Sequence, residues 1–96
     1  VKKLNVAEIL YIESVGHNVI YRMESGKYLS RTALKELEAT MKPYGFFRCG
    51  KGFLVNMKRV DGISGSDCII EGERVPVSRS RKKEFMELLL QYMNEG

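Results

Sequence analysis

The chain has 96 residues, 44% of them hydrophobic, with a formal net charge of +4 and a pI near 9.2. These values suit one folded domain over residues 1–96 and exclude a disordered chain. The longest apolar runs, such as Leu88 to Leu90, are far short of the roughly 20 residues a bilayer helix needs, so no membrane partner is expected.

The first residue is Val1 rather than Met, which reads as a fragment cut at a domain boundary of a longer protein. Ala7 to Val15 is rich in β-formers and predicts a strand. Gly16-His17-Asn18 breaks it as a turn. Val19 to Glu24 alternates apolar and polar positions, the period of a half-buried strand. Ser25-Gly26 predicts a hairpin turn, and Lys27 to Arg31 returns as the next strand.

At Thr32 to Met41 the period changes. Leu34, Leu37 and Met41 share a helical face, with Thr32 as the expected N-cap. Lys42-Pro43 ends this helix, because proline disfavours helix in the residue before it. After a Tyr44-Gly45 loop, Phe46 to Asn56 reads as extended chain. Gly50 and Gly52 interrupt it and suggest a bend where the backbone comes close to something.

Val60 to Ser64 and Cys68 to Glu71 predict short strands about a Gly65-Ser66-Asp67 turn. A turn at Gly72-Glu73 precedes a strand from Arg74 to Ser78, which Pro76 confines to an edge or a bulge. A C-terminal helix is predicted from Ser80 to about Asn94, since Phe85, Leu88, Leu89 and Tyr92 repeat at i, i+3, i+4, i+7. The fold class is therefore mainly β, with one short middle helix and one C-terminal helix.

Charge is segregated. No Asp or Glu lies between Lys42 and Arg59 or between Arg79 and Lys83, whereas each segment is rich in Lys and Arg. This predicts a positive face and an anionic partner. Arg81, Lys82 and Lys83 crowd the start of the last helix, the positive end of its dipole, where an external anion would relieve them.

Individual residues keep two readings. His17 is either an exposed turn histidine or a group that reaches a base edge. It has no nucleophile in a recognised setting, so catalysis is not expected. Lys51 is a solvated hairpin lysine or a cation free to enter a groove between two glycines. Arg48 pairs with an acid such as Glu38 or contacts phosphate. Arg79 pairs with Glu84 or Glu87, or aims a guanidinium at guanine. Cys49 and Cys68 with one histidine cannot build a four-ligand zinc site, so two reduced cytoplasmic thiols and no metal or cofactor are expected.

Taken in order, ILYIES with the following His17, Gly26 to Arg31, ALKELE at Ala33 to Glu38, FFRC at Phe46 to Cys49, FLVN at Phe53 to Asn56 and VPVSR with its basic followers at Val75 to Lys83 resemble a LytTR domain. This is the DNA-binding module of a large family of bacterial response regulators. The resemblance implies short antiparallel strands in stacked small sheets, with loops rather than a recognition helix entering successive major grooves. It implies double-stranded DNA in paired repeats as partner, pairing of two copies on that DNA, DNA bending, and an upstream receiver domain in the full-length two-component regulator.

Carried over by position, the resemblance puts base reading on His17, Lys51 and Arg79 and phosphate contact on Lys82. Asn18, Arg48, Ser78, Arg81 and Lys83 join it as backbone-contacting or supporting residues. The family segment Arg-Cys-His-Arg-Ser is here Arg48-Cys49-Gly50-Lys51-Gly52. That exchange implies a more flexible loop and a single-point lysine contact in place of a guanidinium fork. The competing reading is a basic β-rich module for RNA or protein.

Overall fold

The computed structural model describes residues 4–94. The apolar run at the start of the chain becomes β1 (Ile9–Val15), the middle strand of a five-stranded antiparallel sheet. With β2 (Asn18–Met23), β3 (Gly26–Ser30), β4 (Phe46–Gly50) and β5 (Phe53–Asn56), the sheet order is β3-β2-β1-β5-β4. A second sheet of β6 (Gly62–Ser64), β7 (Asp67–Ile70) and β8 (Glu73–Pro76) has order β6-β7-β8. Pro76 therefore lies on an edge strand, as its missing N–H requires.

The central strands are buried on both faces, which is why β1 and β5 read as continuous apolar runs rather than alternating ones. On one face Ile9, Ile12, Val19, Phe46 and Leu54 pack with Leu34, Leu37 and Met41 of α1 (Leu34–Met41). On the other, Leu10, Phe47, Cys49 and Val55 meet Cys68, Ile70 and Val75 of the second sheet and Phe85 and Leu89 of α2 (Lys82–Asn94). A register shift in β1 between Ile9 and Tyr11 lets adjacent Leu10 and Tyr11 join the same core. Cys49 and Cys68 are free thiols in that core. The neighbouring Cys68 thiol and burial raise Cys49 above the usual thiol range, and its Sγ lies 3.5 Å from the Pro76 carbonyl.

Asn56 is the one buried polar residue among those described, and it ties three elements together. Its Nδ2 donates to the Ile9 carbonyl at 2.9 Å, and its Oδ1 accepts from Lys58 N–H at 3.1 Å. This caps the 3-10 turn Met57–Arg59 and fixes the end of β5 against β1.

Three local expectations are corrected. Ala33, not Thr32, is the N-cap of α1, because the Thr32 hydroxyl is 2.9 Å from that of Ser30 and is spent at the end of β3. The last helix starts at Lys82. A 3-10 turn over Arg79–Arg81 with Ser78 at its N-cap precedes it, so only Lys82 and Lys83 of the basic run enter its first turn. The β7–β8 turn is Glu71-Gly72, with φ of 51° and 80°.

Candidate nucleic-acid interface

Two hairpin turns and one junction share an end of the larger sheet. The first turn is Gly16-His17, closed by the Val15–Asn18 pair. Gly16 has φ 62°, which suits a glycine at the first position of a two-residue hairpin. The second is Lys51-Gly52 between β4 and β5, closed by the Gly50–Phe53 pair and preceded by a bulge at Cys49. Ser14 N–H donates to the Gly52 carbonyl at 2.8 Å and holds these two turns side by side.

The junction from β8 to α2 is fastened to the same place. Ser78 N–H donates to the Cys49 carbonyl at 2.8 Å, and Val77 N–H to Ser66 at 3.0 Å. The Lys51 turn thus lies between the His17 turn and the Arg79 junction. The structure brings together the three residues singled out in sequences far apart along the chain, and His17, Lys51 and Arg79 are all exposed there.

The expected close approach at the glycines holds for one of them. A Cβ on Gly50 would stand 3.4 Å from the Pro76 carbonyl, whereas one on Gly52 meets nothing closer than Ser14 at 3.9 Å. Neither glycine has a positive φ, so backbone conformation does not demand them. The loop is also braced. Arg48 donates from Nη2 to the Lys51 carbonyl at 2.6 Å and from Nε to the Gly50 carbonyl at 3.3 Å, while its Nη1 pairs with Glu38 at 3.3 Å. Arg48 forms the pairing with Glu38, and the same guanidinium closes the Lys51 turn.

Charge pairing divides the cations. Arg22 is held by Glu13, Arg48 by Glu38, Arg59 by Glu24 and Glu71, and Arg74 by Asp67. The hydrogen bonds that Arg22 donates to Glu13 raise the Arg22 pKa further. Among the described residues Lys51, Arg79 and Lys83 have no carboxylate partner, and the Arg79 pairing with Glu84 or Glu87 does not form. Arg81 is half-buried with its guanidinium 6.0 Å from the Phe47 ring centroid, a stacking role alongside any anion contact. Lys82 reaches the Gly65 carbonyl at 3.4 Å, a weak contact that leaves its charge available.

Asn18 is half-buried beside His17, and both line a groove of about 320 Å³ that also takes in Arg48 and Lys35. Helical spacing alone marks Lys35 as a solvated outer-face residue, and nothing local to it signals that α1 carries it to this groove. Ser78 has its hydroxyl 3.5 Å from that of Ser80. No group of three or more His, Cys, Asp or Glu side chains among the described residues could hold a metal, and no described helix is long and apolar enough to cross a membrane.

Residues 1–90 match the family model described as the LytTr DNA-binding domain. Sensory transduction protein LytT of Bacillus cereus is 29% identical over 92 residues, covering 90% of this chain and 37% of that protein. LytT of Bacillus anthracis matches with the same identity and coverage. The chain therefore spans little more than a third of the length of these curated relatives, at 37%. A solved LytTr DNA-binding domain from Bacillus cereus superposes with a TM-score of 0.79 at 27% identity, covering 90% of this chain and 84% of that one. The mainly β architecture of two antiparallel sheets and two helices is the one this neighbour carries. The chain belongs to the LytTR family of DNA-binding domains.

Proposed function

We propose that this domain is the DNA-reading part of a two-component transcription regulator and recognises a specific duplex sequence through the major groove. His17, Lys51 and Arg79 read base edges. Arg79 offers a fork suited to the O6 and N7 acceptors of guanine, Lys51 a single point charge, and His17 a ring nitrogen. Lys82, Lys83 and Arg81 meet phosphates, with Asn18 and Ser78 as polar support at the two flanks. Arg48 acts through the Lys51 turn. In the full-length protein an upstream receiver domain promotes pairing of two copies on adjacent repeats, and the DNA bends to follow them.

One observation carries this reading. Arg48 at the base of the Lys51 turn is neutralised by Glu38, while Lys51 and Arg79, exposed on adjacent loops at that end, have no carboxylate partner among the described residues. Unneutralised cations gathered on turns that project from a rigid sheet fit a polyanion, and their narrow tips fit a groove about 12 Å wide.

The test is binding to a duplex selected from a random pool, measured over a salt series against a scrambled competitor. Sequence preference should persist as salt rises. Arg79→Ala should cost about 1–3 kcal/mol and relax preference at one base pair, whereas Lys82→Ala should weaken all sequences alike and lower the salt slope by about 1. Equal binding of selected and scrambled duplexes, or tighter binding of single-stranded RNA, overturns the reading.

A further inference from the structure

Base contacts specify a duplex and phosphate contacts hold it, and a major groove has a phosphate wall on each side. Arg81, Lys82 and Lys83, the cations proposed above to meet phosphates, lead into α2, which packs on one face of the larger sheet. The opposite face carries α1. A row of turns set between these faces reaches the second wall only with a cation on the α1 side.

The chain brings α1 to the end that holds the turns. Ser30, the last residue of β3, pairs with Val19, and the adjacent Asn18 closes the His17 turn. After three more residues α1 begins at Leu34, so its first turn lies at this end. One helical turn on, Glu38 meets Arg48 at 3.3 Å, at the base of the Lys51 turn. The first half of α1 thus runs from the His17 turn toward the Lys51 turn, and Lys35 is exposed on it.

The groove of about 320 Å³ between them is lined by Ser14, His17, Asn18, Thr32, Lys35 and Arg48 and by no carboxylate. Several of its polar groups are already committed. Ser14 N–H is on Gly52, the Thr32 hydroxyl is on Ser30, and Arg48 is on Glu38 and the Lys51 turn. Lys35 has no carboxylate partner among the described residues. Glu38, three residues along the same helical face, is held by Arg48, and Glu36, next in sequence, faces another side. A second lysine, Lys58, lines a groove beside Asn56 and Ala7, but that groove lies at the opposite end of β1 and β5.

We propose that Lys35 is a further DNA-contacting residue, whose ammonium holds a backbone phosphate beside the base pair that His17 reads. This contact presupposes the DNA reading proposed above and adds α1 to the interface. A lysine meets phosphate as a point charge and needs no fork. Lys35 on one face and Lys82 and Lys83 on the other then grip the two walls of the groove, with the reading turns between them. The contact fixes how the His17 turn sits and carries no sequence information of its own.

Fluorescence anisotropy with the selected duplex over a salt series tests this, with Lys58→Ala as the charge-matched control. Lys35→Ala should lower the slope of log K against log salt by about 0.9, an affinity loss of about fivefold at about 0.15 M salt and about fifteenfold at about 0.05 M. Its preference for selected over scrambled duplex should not change. Ethylation interference should lose one phosphate, next to the base pair at which His17→Ala relaxes preference. Lys35 is exposed, so the variant should fold with a near-unchanged unfolding midpoint. Lys58→Ala should keep the wild-type slope. A wild-type slope for Lys35→Ala, while Arg79→Ala and Lys82→Ala show their losses, overturns the Lys35 contact and leaves the DNA reading standing. An equal fall in slope for Lys35→Ala and Lys58→Ala also overturns it, because net charge rather than a contact is then at work. Equal binding of selected and scrambled duplexes by the wild type removes the reading and the contact together.

Discussion

Arg48→Ala removes the side chain that closes the Lys51 turn. Its guanidinium donates to the Lys51 carbonyl at 2.6 Å and, at a longer 3.3 Å, to Gly50 and Glu38. A hydrogen bond from a charged donor contributes about 1.5–3 kcal/mol, and the two long ones add little. The side chain is 21% exposed and the freed carbonyls regain water, so the net loss should be about 1 kcal/mol. That loss falls mainly on the order of the turn. DNA affinity should drop roughly fivefold, the equivalent of about 1 kcal/mol.

The salt dependence is what discriminates. Arg48 is committed to acceptors within the protein, so it should neutralise no phosphate. Fluorescence anisotropy over a salt series should return the wild-type slope of log K against log salt. A true phosphate contact would lower that slope by about 0.9. A lowered slope, together with unchanged amide exchange in the Lys51 turn, would refute the supporting role.

Three further outcomes follow from the packing. Asn56→Ala leaves the buried Ile9 carbonyl without its partner and uncaps the Met57–Arg59 turn, and should cost about 2–4 kcal/mol in urea unfolding. Gly45 has φ 87°, and a Cβ there would stand 2.6 Å from the Tyr92 hydroxyl, so Gly45→Ala should destabilise by about 2 kcal/mol. Tyr92→Phe should recover part of that loss in a double-mutant cycle, and additivity would refute the clash. Burial first, and then the negative charge of Glu73, push Tyr11 up to about 12. The folded state therefore keeps this proton after the unfolded chain has released it near pH 10. Its stabilisation is complete below pH 10 and lost as pH climbs toward 12; Tyr11→Phe should flatten that decline in denaturation midpoints.

What the sequence made legible is what local periodicity encodes. The i, i+3, i+4, i+7 repeat of Phe85, Leu88, Leu89 and Tyr92 set the inner face of α2, and alternation set β2. The start of α2 is not legible in the sequence, because a 3-10 turn and an α-helix begin with the same residue preferences, and only backbone geometry separates Arg79–Arg81 from the helix proper. Thr32 has the right chemistry for a cap, but a neighbouring hydroxyl at Ser30 competes for it. Charge counting saw a basic stretch from Lys42 to Arg59. It missed that Arg59 is bound by Glu24, 35 residues away, and Glu71, 12 residues away. Such pairings depend on tertiary approach, which no local pattern records.

A helix led by Lys82 and Lys83 would be the obvious candidate for a major groove. Yet α2 buries Phe85 and Leu89 in the core, and its outer face carries Met86, Glu87, Leu90 and Met93, with Leu90 and Met93 exposed by 55% and 68%. Beyond its first turn that face offers phosphates no cation, and Glu87 is repelled by them. Only the first turn of α2 is basic, and that turn is pinned beside Cys49 and Gly50 by Ser78. The helix therefore fits the proposed reading as the element that positions Arg79 at the end of the sheet. The turns proposed to read DNA have their spacing set by hydrogen bonds between neighbouring elements. Side chains on these turns can change, as the Gly50-Lys51-Gly52 tip has, without altering the scaffold that aims them.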